Sequence, residues 1–301
     1  MPDRIVNALT VDVEEYYHAE IFQRGLNGDG PHNLESRVER STDRLLELMR
    51  EHGARATFFV LGEIAKRHPA LVRRIAAERH EIGCHSDRHE NVWRQSPDQF
   101  RADIRRAKQR IEDATGQVVI GYRAPNFSIG RAQRSWAYPI LLDEGFRYDS
   151  SVFPIVHDRY GQPDAPRFAH EVFRNTARGL LEFPIGTVRL IGMNLPISGG
   201  GYFRLLPLAL TTMGIRRVNR REGRPVMFYL HPWELDPGQP RQRMAWRHRV
   251  RHYVGLEKQV AKLSRLFGRF SFGPACEVLQ LGSPPFELVS GVDRRRDASS
   301  A

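Results

Sequence analysis

The sequence predicts an α/β fold, a parallel sheet covered by helices and either open or closed into a barrel. Two observations carry this expectation. Short apolar runs of strand length alternate along the chain with amphipathic stretches of helix length. The residues best suited to chemistry fall at the carboxyl ends of several of those runs, where sites assemble in such folds. The 301 residues are enough for one large domain, and 41% hydrophobic residues can build its core.

Residues 7–13 (NALTVDV) read as a buried strand. Residues 41–52 read as a helix, with Ser41 and Thr42 able to cap it, Leu45, Leu46, Leu48 and Met49 on its apolar face, and Gly53 ending it. Residues 56–61 (ATFFVL) form a second strand, and residues 63–78 a second helix that Pro69 breaks in two. A short third strand covers 81–84 (EIGC), followed by a helix over 98–115 that Gly116 ends. Residues 118–122 are a strand, and 135–144 a helix in spite of Pro139. Residues 179–190 contain one or two strands, and 226–230 (VMFYL) another. Residues 154–170 read as a polar surface loop, 198–202 (SGGGY) as a flexible glycine turn, and the basic stretch 241–253 runs on as a helix to about residue 267. The polar tail at 291–301 is expected to be disordered.

The balance of 46 basic against 35 acidic residues gives +11, which points to an acidic partner: nucleic acid, an anionic membrane surface or an anionic polymer. The run at 241–253 interleaves arginines with Trp246 and Tyr253, as some single-strand binders do. A solvated helix face is the better reading, part of it guiding an anionic glycan or facing phospholipid, so no nucleic-acid partner is expected. Gly199, Gly200 and Gly201 lead into Tyr202 and Phe203 rather than Lys-Ser or Lys-Thr, so they make no phosphate loop. Cys84 and Cys276 are too few for a disulfide framework, and Cys84 reads as a small core thiol. The start of the chain has no basic segment leading into an apolar run, and no stretch reaches the roughly 18 apolar residues of a membrane span. A soluble cytoplasmic protein is expected, one that charge could draw to a membrane surface. The sequence does not set its oligomeric state.

Four motifs carry chemistry. His85-Ser-Asp-Arg-His89 puts two imidazoles four apart, directly after the strand EIGC. On one helical turn they would face the same way and suit zinc or a related ion, although two surface histidines would look alike. Asp12 and Glu14 lie two apart at the end of the first strand, so an extended chain points both to one side. Carboxylates there are costly unless they bind something, and a solvated loop is the alternative. Arg123 and Pro125 follow a strand in Tyr122-Arg-Ala-Pro-Asn-Phe127; the arginine could hold a carboxylate by two hydrogen bonds or form an ordinary ion pair. His231 and Trp233 end the strand VMFYL, where the histidine could be a general acid and the indole could line a pocket; a buried, satisfied histidine is the plainer reading.

In this order the motifs resemble those of the polysaccharide deacetylases of carbohydrate esterase family 4, the NodB-homology family, over roughly residues 7–234. The family's usual Thr-Phe-Asp-Asp is here Thr10-Val11-Asp12-Val13-Glu14. The resemblance makes Asp12 the catalytic base. Val13 replaces the family's metal-binding aspartate, so the acidic ligand is Glu14, as in a branch carrying Asp-Val-Asp or Asp-Val-Glu, with Glu15 as the alternative. A few members of that branch work without metal. His85 and His89 match the second motif, Arg123 and Pro125 the third, in which the arginine orients the base, and His231 the last, as general acid. Tyr148-Asp149-Ser150-Ser151 resembles the segment lining the groove, so the substrate contacts implied are Pro125, Phe127, Tyr148, Asp149 and Trp233.

The resemblance implies a distorted (β/α)7-type barrel as a single domain: residues 1–235 the deacetylase barrel, 236–290 a basic helical extension packed on it, and 291–301 a tail. It implies hydrolysis of N-acetyl groups on a polysaccharide or oligosaccharide with a divalent ion, zinc first, and an oxyanion held by a backbone N–H near Phe127. The region from Gly199 onward resembles the extension of deacetylases linked to bacterial exopolysaccharide and exosortase gene clusters. An allantoinase-like cyclic-amide hydrolase on the same scaffold and a non-catalytic binder of anionic polymers are the alternatives.

Overall fold

The structure, a computed structural model, describes residues 5–18, 34–157, 160–241 and 246–282. The tail expected at 291–301 and residues 283–290 of the expected extension lie outside the described residues.

The core is a curled parallel sheet. β1 (Val6–Val13), β2 (Thr57–Val60), β3 (Glu81–Cys84), β4 (Gly121–Tyr122) and β5 (Tyr148–Asp149) pair in chain order. β6 (His170–Arg174) lies antiparallel on β7 (Gly179–Glu182), which pairs with β5. β8 (Thr187–Leu190) and β9 (Met193–Pro196) form a separate hairpin, and β10 (Met227–Leu230) flanks β1 on the side away from β2. β11 (Ser271–Gly273) pairs with Val6–Ala8 of β1. The barrel does not close. No ladder joins β7 to β10 among the described residues; Gly186 N–H donates to the Met227 carbonyl at 3.0 Å across that gap.

The period-2 alternation of strands explains the two cores. Leu9, Val11, Val13, Phe58, Val60, Ile82, Phe228 and Leu230 face out, under the helices. Ala8, Phe59, Tyr148, Met227 and Tyr229 face into the curl. The parity that sends Val11 and Val13 outward sends Thr10 and Asp12 inward.

The helices are α1 (Val38–Glu51), α2 (Gly62–Arg67), α3 (Pro69–Ala77), α4 (Pro97–Thr115), α5 (Arg131–Asp143), α6 (Gly200–Leu205), α7 (Leu208–Arg217), α8 (Trp246–Tyr253), α9 (Leu256–Phe267) and α10 (Ala275–Val278). Pro69 breaks the helix over 63–78 as expected by starting α3, where its missing N–H costs nothing. Ser96 and Gln99 form a capping box for α4, and Gly116 ends it in the left-handed conformation.

Two local expectations differ. α1 starts at Val38, so Ser41 and Thr42 are buried within it; the Glu15 carboxylate accepts the Arg37 N–H at 3.0 Å at its start. Residues 179–190 hold two strands, as expected, but β7 and β8 belong to different sheets. The glycine turn is not flexible packing: a Cβ at Gly199 would overlap the Tyr229 carbonyl and one at Gly200 the Tyr229 ring, and both have positive φ, so only glycine fits.

Candidate metal centre and active site

Residues far apart in the chain meet at the carboxyl ends of β1, β3, β4 and β10. Glu14, His85 and His89 each place a donor atom within 4.8 Å of the others, and all three are buried. His89 Nε2 lies 2.7 Å from Glu14 Oε2. His85 Nδ1 bonds the Arg123 carbonyl at 2.8 Å, which leaves Nε2 for a ligand. His89 Nδ1 is buried without a hydrogen-bond partner. Three convergent donors, two imidazoles and a carboxylate, fit a divalent transition metal.

The two histidines do not sit on a helical turn. They converge because Ser86 and His89 take left-handed φ values of 73° and 59° in an irregular loop after β3. α4 pins that loop: Asp103 accepts from Ser86 Oγ at 2.6 Å and from Asp87 N–H at 3.0 Å, while Arg106 and Arg110 hold Asp87 at 2.7 and 2.5 Å. Glu15, the alternative ligand, turns away to Ser36 and the Arg37 N–H.

Asp12 stands beside this cluster. Arg123, fully buried, donates from Nη1 to Asp12 Oδ1 at 2.7 Å and to Thr10 Oγ1 at 2.9 Å. Its other nitrogens donate to the Ser150 carbonyl at 3.0 Å and Ser150 Oγ at 2.8 Å, and its guanidinium lies over the Phe59 ring. His231 Nε2 is 3.4 Å from Glu14 Oε1 and 3.9 Å from Asp12 Oδ2, and its Nδ1 meets Glu234 Oε1 at 2.8 Å. Glu234 was not singled out in the sequence; its spacing, three after His231 at the start of a turn, is the capping-box signal that could have found it.

Burial and charge set the protonation of the cluster. Burial opposes the charged form of Glu14, but His89, His231 and His85 outweigh it and hold the carboxyl well below the usual range. Burial works against protonation of His231 too, yet Glu14, Glu234 and Asp12 push its imidazole up to about 9. Burial takes His85 down to about 4, so its imidazole is neutral and able to ligate.

The structure sorts the implied substrate contacts. Pro125 and Phe127 lie in the turn after β4, where Asn126 and Phe127 have φ of 52° and 53°. The Phe127 N–H already donates to the Ala124 carbonyl at 3.1 Å. Tyr148 and Asp149 are fully buried. Tyr148 points into the curl and donates to Glu81 at 2.9 Å, while Asp149 accepts from Ser151 Oγ at 2.6 Å, so neither offers an atom to a groove. Trp233 is buried behind the acids, its Nε1–H donating to Glu14 Oε1 at 3.3 Å between the stacked rings of His231 and His252. His18, not singled out in the sequence, stacks on His89 with centroids 5.7 Å apart.

Residues 28–137 match the family model described as polysaccharide deacetylase. That match covers 110 of the 301 residues. Residues 150–280 match a second model, a domain of unknown function (DUF3473). The chain is similar to a Bacillus cereus peptidoglycan-N-acetylglucosamine deacetylase, 34% identical over 96 residues, 32% of this chain and 35% of that protein. It is also similar to a Rhizobium leguminosarum chitooligosaccharide deacetylase, 37% identical over 79 residues, 26% of this chain and 37% of that one. The chain thus spans about a third of the length of these curated relatives. Among solved structures it resembles a Mycobacterium smegmatis chain assigned as a polysaccharide deacetylase, with a TM-score of 0.60, 20% identity and coverage of 93% and 91%. It resembles Puue allantoinase equally, with a TM-score of 0.62, 17% identity and the same coverage. Likeness to both establishes the fold and does not choose between two chemistries.

Proposed function

We propose that the protein is a metal-dependent hydrolase that removes N-acetyl groups from sugar residues of a bacterial polysaccharide, in exopolysaccharide biosynthesis, with zinc as the metal. One observation carries the reading: Glu14, His85 and His89 meet as a buried donor set with Asp12 and His231 beside it. The named relatives, deacetylases of peptidoglycan and of chitooligosaccharide, support the amide and the sugar. The division at residue 235 is part of the proposal; Gln259 of α9, in the extension, braces Glu234 at 3.1 Å. So is a cytoplasmic setting, which suits the free, buried Cys84 and Cys276.

When bound to Glu14, His85 and His89, a divalent ion would polarise the acetyl carbonyl and acidify the attacking water. Asp12 takes the proton of that water on the oxygen not held by Arg123. Arg123 fixes the carboxylate, since its other donors are anchored on Thr10 and Ser150. His231, protonated through its three carboxylate neighbours, gives its Nε2 proton to the leaving amine, which cannot depart as an anion. Glu234 holds the opposite ring nitrogen and so aims Nε2 at the site. Pro125 and Phe127 stiffen the rim on which the sugar rests.

The test is acetate release from a panel of N-acetylated glycans, run with elemental analysis of the purified protein. Release that requires bound metal supports the proposal. Turnover of allantoin with no acetate from any glycan would replace it by a cyclic-amide hydrolase.

A further inference from the structure

The β8–β9 hairpin is built against the usual rule for a surface. Its base is anchored: Val188 and Ile197 enter the core, and Arg167 ties Thr187 Oγ1 to Glu222 at 3.2 and 2.7 Å. Its tip is apolar and bare. Ile191 is 96% exposed and Met193 62%, with Leu190 and Leu195 exposed beside them. A four-residue strand spans about 13 Å, so the tip stands clear of its base by roughly that distance.

The base is packed against a basic helix. Gly214 of α7 abuts Ile197 so closely that a Cβ there would press on its side chain. The outer face of α7 begins with exposed Leu210 and Met213 and continues into Arg216, Arg217, Arg220 and Arg221, all exposed. Residues 187–225 hold seven arginines and a single acid, Glu222, which is already paired with Arg167. A second element repeats the chemistry. Trp246 on α8 is 76% exposed, with Val250 and Val254 below it and Arg249 beside it. A hollow lined by Leu205, Leu208 and Val254 runs between α8 and the start of α7.

An apolar tip whose base packs on an arginine-rich helix matches one kind of partner. Apolar side chains gain by entering hydrocarbon to a depth of about 5–10 Å, and arginines gain from anionic headgroups at the same level. We propose that the β8–β9 hairpin, with the basic face of α7 and Trp246 of α8, docks the protein on the surface of an anionic phospholipid bilayer. No described helix is long and apolar enough to cross a membrane.

The test uses the full chain and sedimentation with sucrose-loaded vesicles, either pure phosphatidylcholine or phosphatidylcholine with 30% (about one lipid in three) phosphatidylglycerol, a share chosen to approach an anionic leaflet. Wild type should pellet with the anionic vesicles, fall off as salt rises, and stay in solution with the neutral ones. The charge-neutral double variant Ile191→Ser/Met193→Ser separates the apolar contribution from general basicity. It should bind the anionic vesicles at least about tenfold more weakly, because two inserted side chains are lost, while melting at the wild-type temperature. Arg216→Gln/Arg220→Gln should weaken binding and flatten its salt dependence. Equal binding by wild type and the Ile191/Met193 variant would overturn the proposal. So would absence of binding to anionic vesicles at low salt. A loss of self-association in the hairpin variant, without any vesicle binding by wild type, would assign the tip to a second copy of the chain instead.

Discussion

Replacing Arg123 by methionine removes the buried cation that pairs with Asp12 and leaves Asp12, 3% exposed, facing an apolar side chain. Breaking a buried ion pair by removing one partner costs about 3–5 kcal/mol, because the other charge stays buried. For a domain of this size about 1 kcal/mol shifts the melting temperature by roughly 2–4 °C, so Arg123→Met should melt roughly 6–20 °C below wild type. The cause can be isolated by a cycle. Asp12→Asn in the Arg123→Met background removes the stranded charge, so the double variant should be more stable than the sum of the single losses by about 1–3 kcal/mol. Arg74→Met serves as the control. Arg74 and Asp43 form a pair at 3.1 Å with side chains 44% and 50% exposed, so its loss should stay within about 1 kcal/mol. Thermal unfolding followed by circular dichroism reads all four variants. An Arg123→Met protein melting with the Arg74→Met control, or singles and double that add without coupling, would refute the account of a buried pair holding the base.

Asp12→Asn and His231→Ala should each lower turnover in the acetate-release assay by at least ~100-fold, and near wild-type activity in either would remove that residue's role. Zinc added to chelator-treated protein should raise its melting temperature, and Glu14→Gln should abolish most of that rise; an unchanged rise would move the metal elsewhere. A second carboxyl pair governs pH. Burial raises Asp149 to about 6, and burial with the neighbouring Asp149 charge raises Glu182 well above its usual range. Raised carboxyls favour the folded state below the unfolded value of about 4, a contribution lost as pH climbs through about 6. Glu182→Gln should therefore gain melting temperature relative to wild type between about pH 5 and pH 8, and a constant offset would exclude a shared proton. Gly199→Ala should unfold the turn against β10, whereas Gly53→Ala, with open space around it, should cost only about 1 kcal/mol; similar losses would contradict the close approach to Tyr229.

Strand parity made much of this site readable. Asp12 is inward because Val11 and Val13 are outward, and the apolar run around them is enough to assign both directions. The same rule, applied to Tyr148, points it into the curl, where Glu81 takes its hydroxyl; the expectation of a groove-lining residue came from resemblance and not from parity. Asp149 goes the other way, to share a buried environment with Glu182, a residue 33 positions on that no local pattern connects to it. The braces of His231 were out of reach for the same reason. Glu234 is local, but Arg204 and Gln259, which hold it at 3.2 and 3.1 Å, come from α6 and α9, and only the folded chain brings them together.

His85 and His89 do converge with Glu14, but not for the reason their spacing suggested. Helical spacing predicted one face, yet the loop is irregular, and what aims the rings is backbone bent into a region that L-residues avoid. Among the described residues seven non-glycines have positive φ, and four of them, Ser86, His89, Asn126 and Phe127, sit in the two loops that frame the Glu14, His85 and His89 cluster. Each such residue costs on the order of 1–3 kcal/mol and persists only where its surroundings over-determine it. Here the two loops clasp each other. Asn126 Nδ2 donates to Asn91 Oδ1 at 2.8 Å, and Val92 N–H donates to Ser128 Oγ at 2.9 Å. His85 bonds the carbonyl of Arg123, the residue that also holds Asp12. Ligand loop, rim and base are therefore one hydrogen-bonded unit, so a rearrangement of the rim would carry the ligand geometry and the base with it. Glu14, the residue after Val13, meets the imidazoles from the end of β1, and Arg123 ties that strand end, through Asp12, to the loop that carries His85.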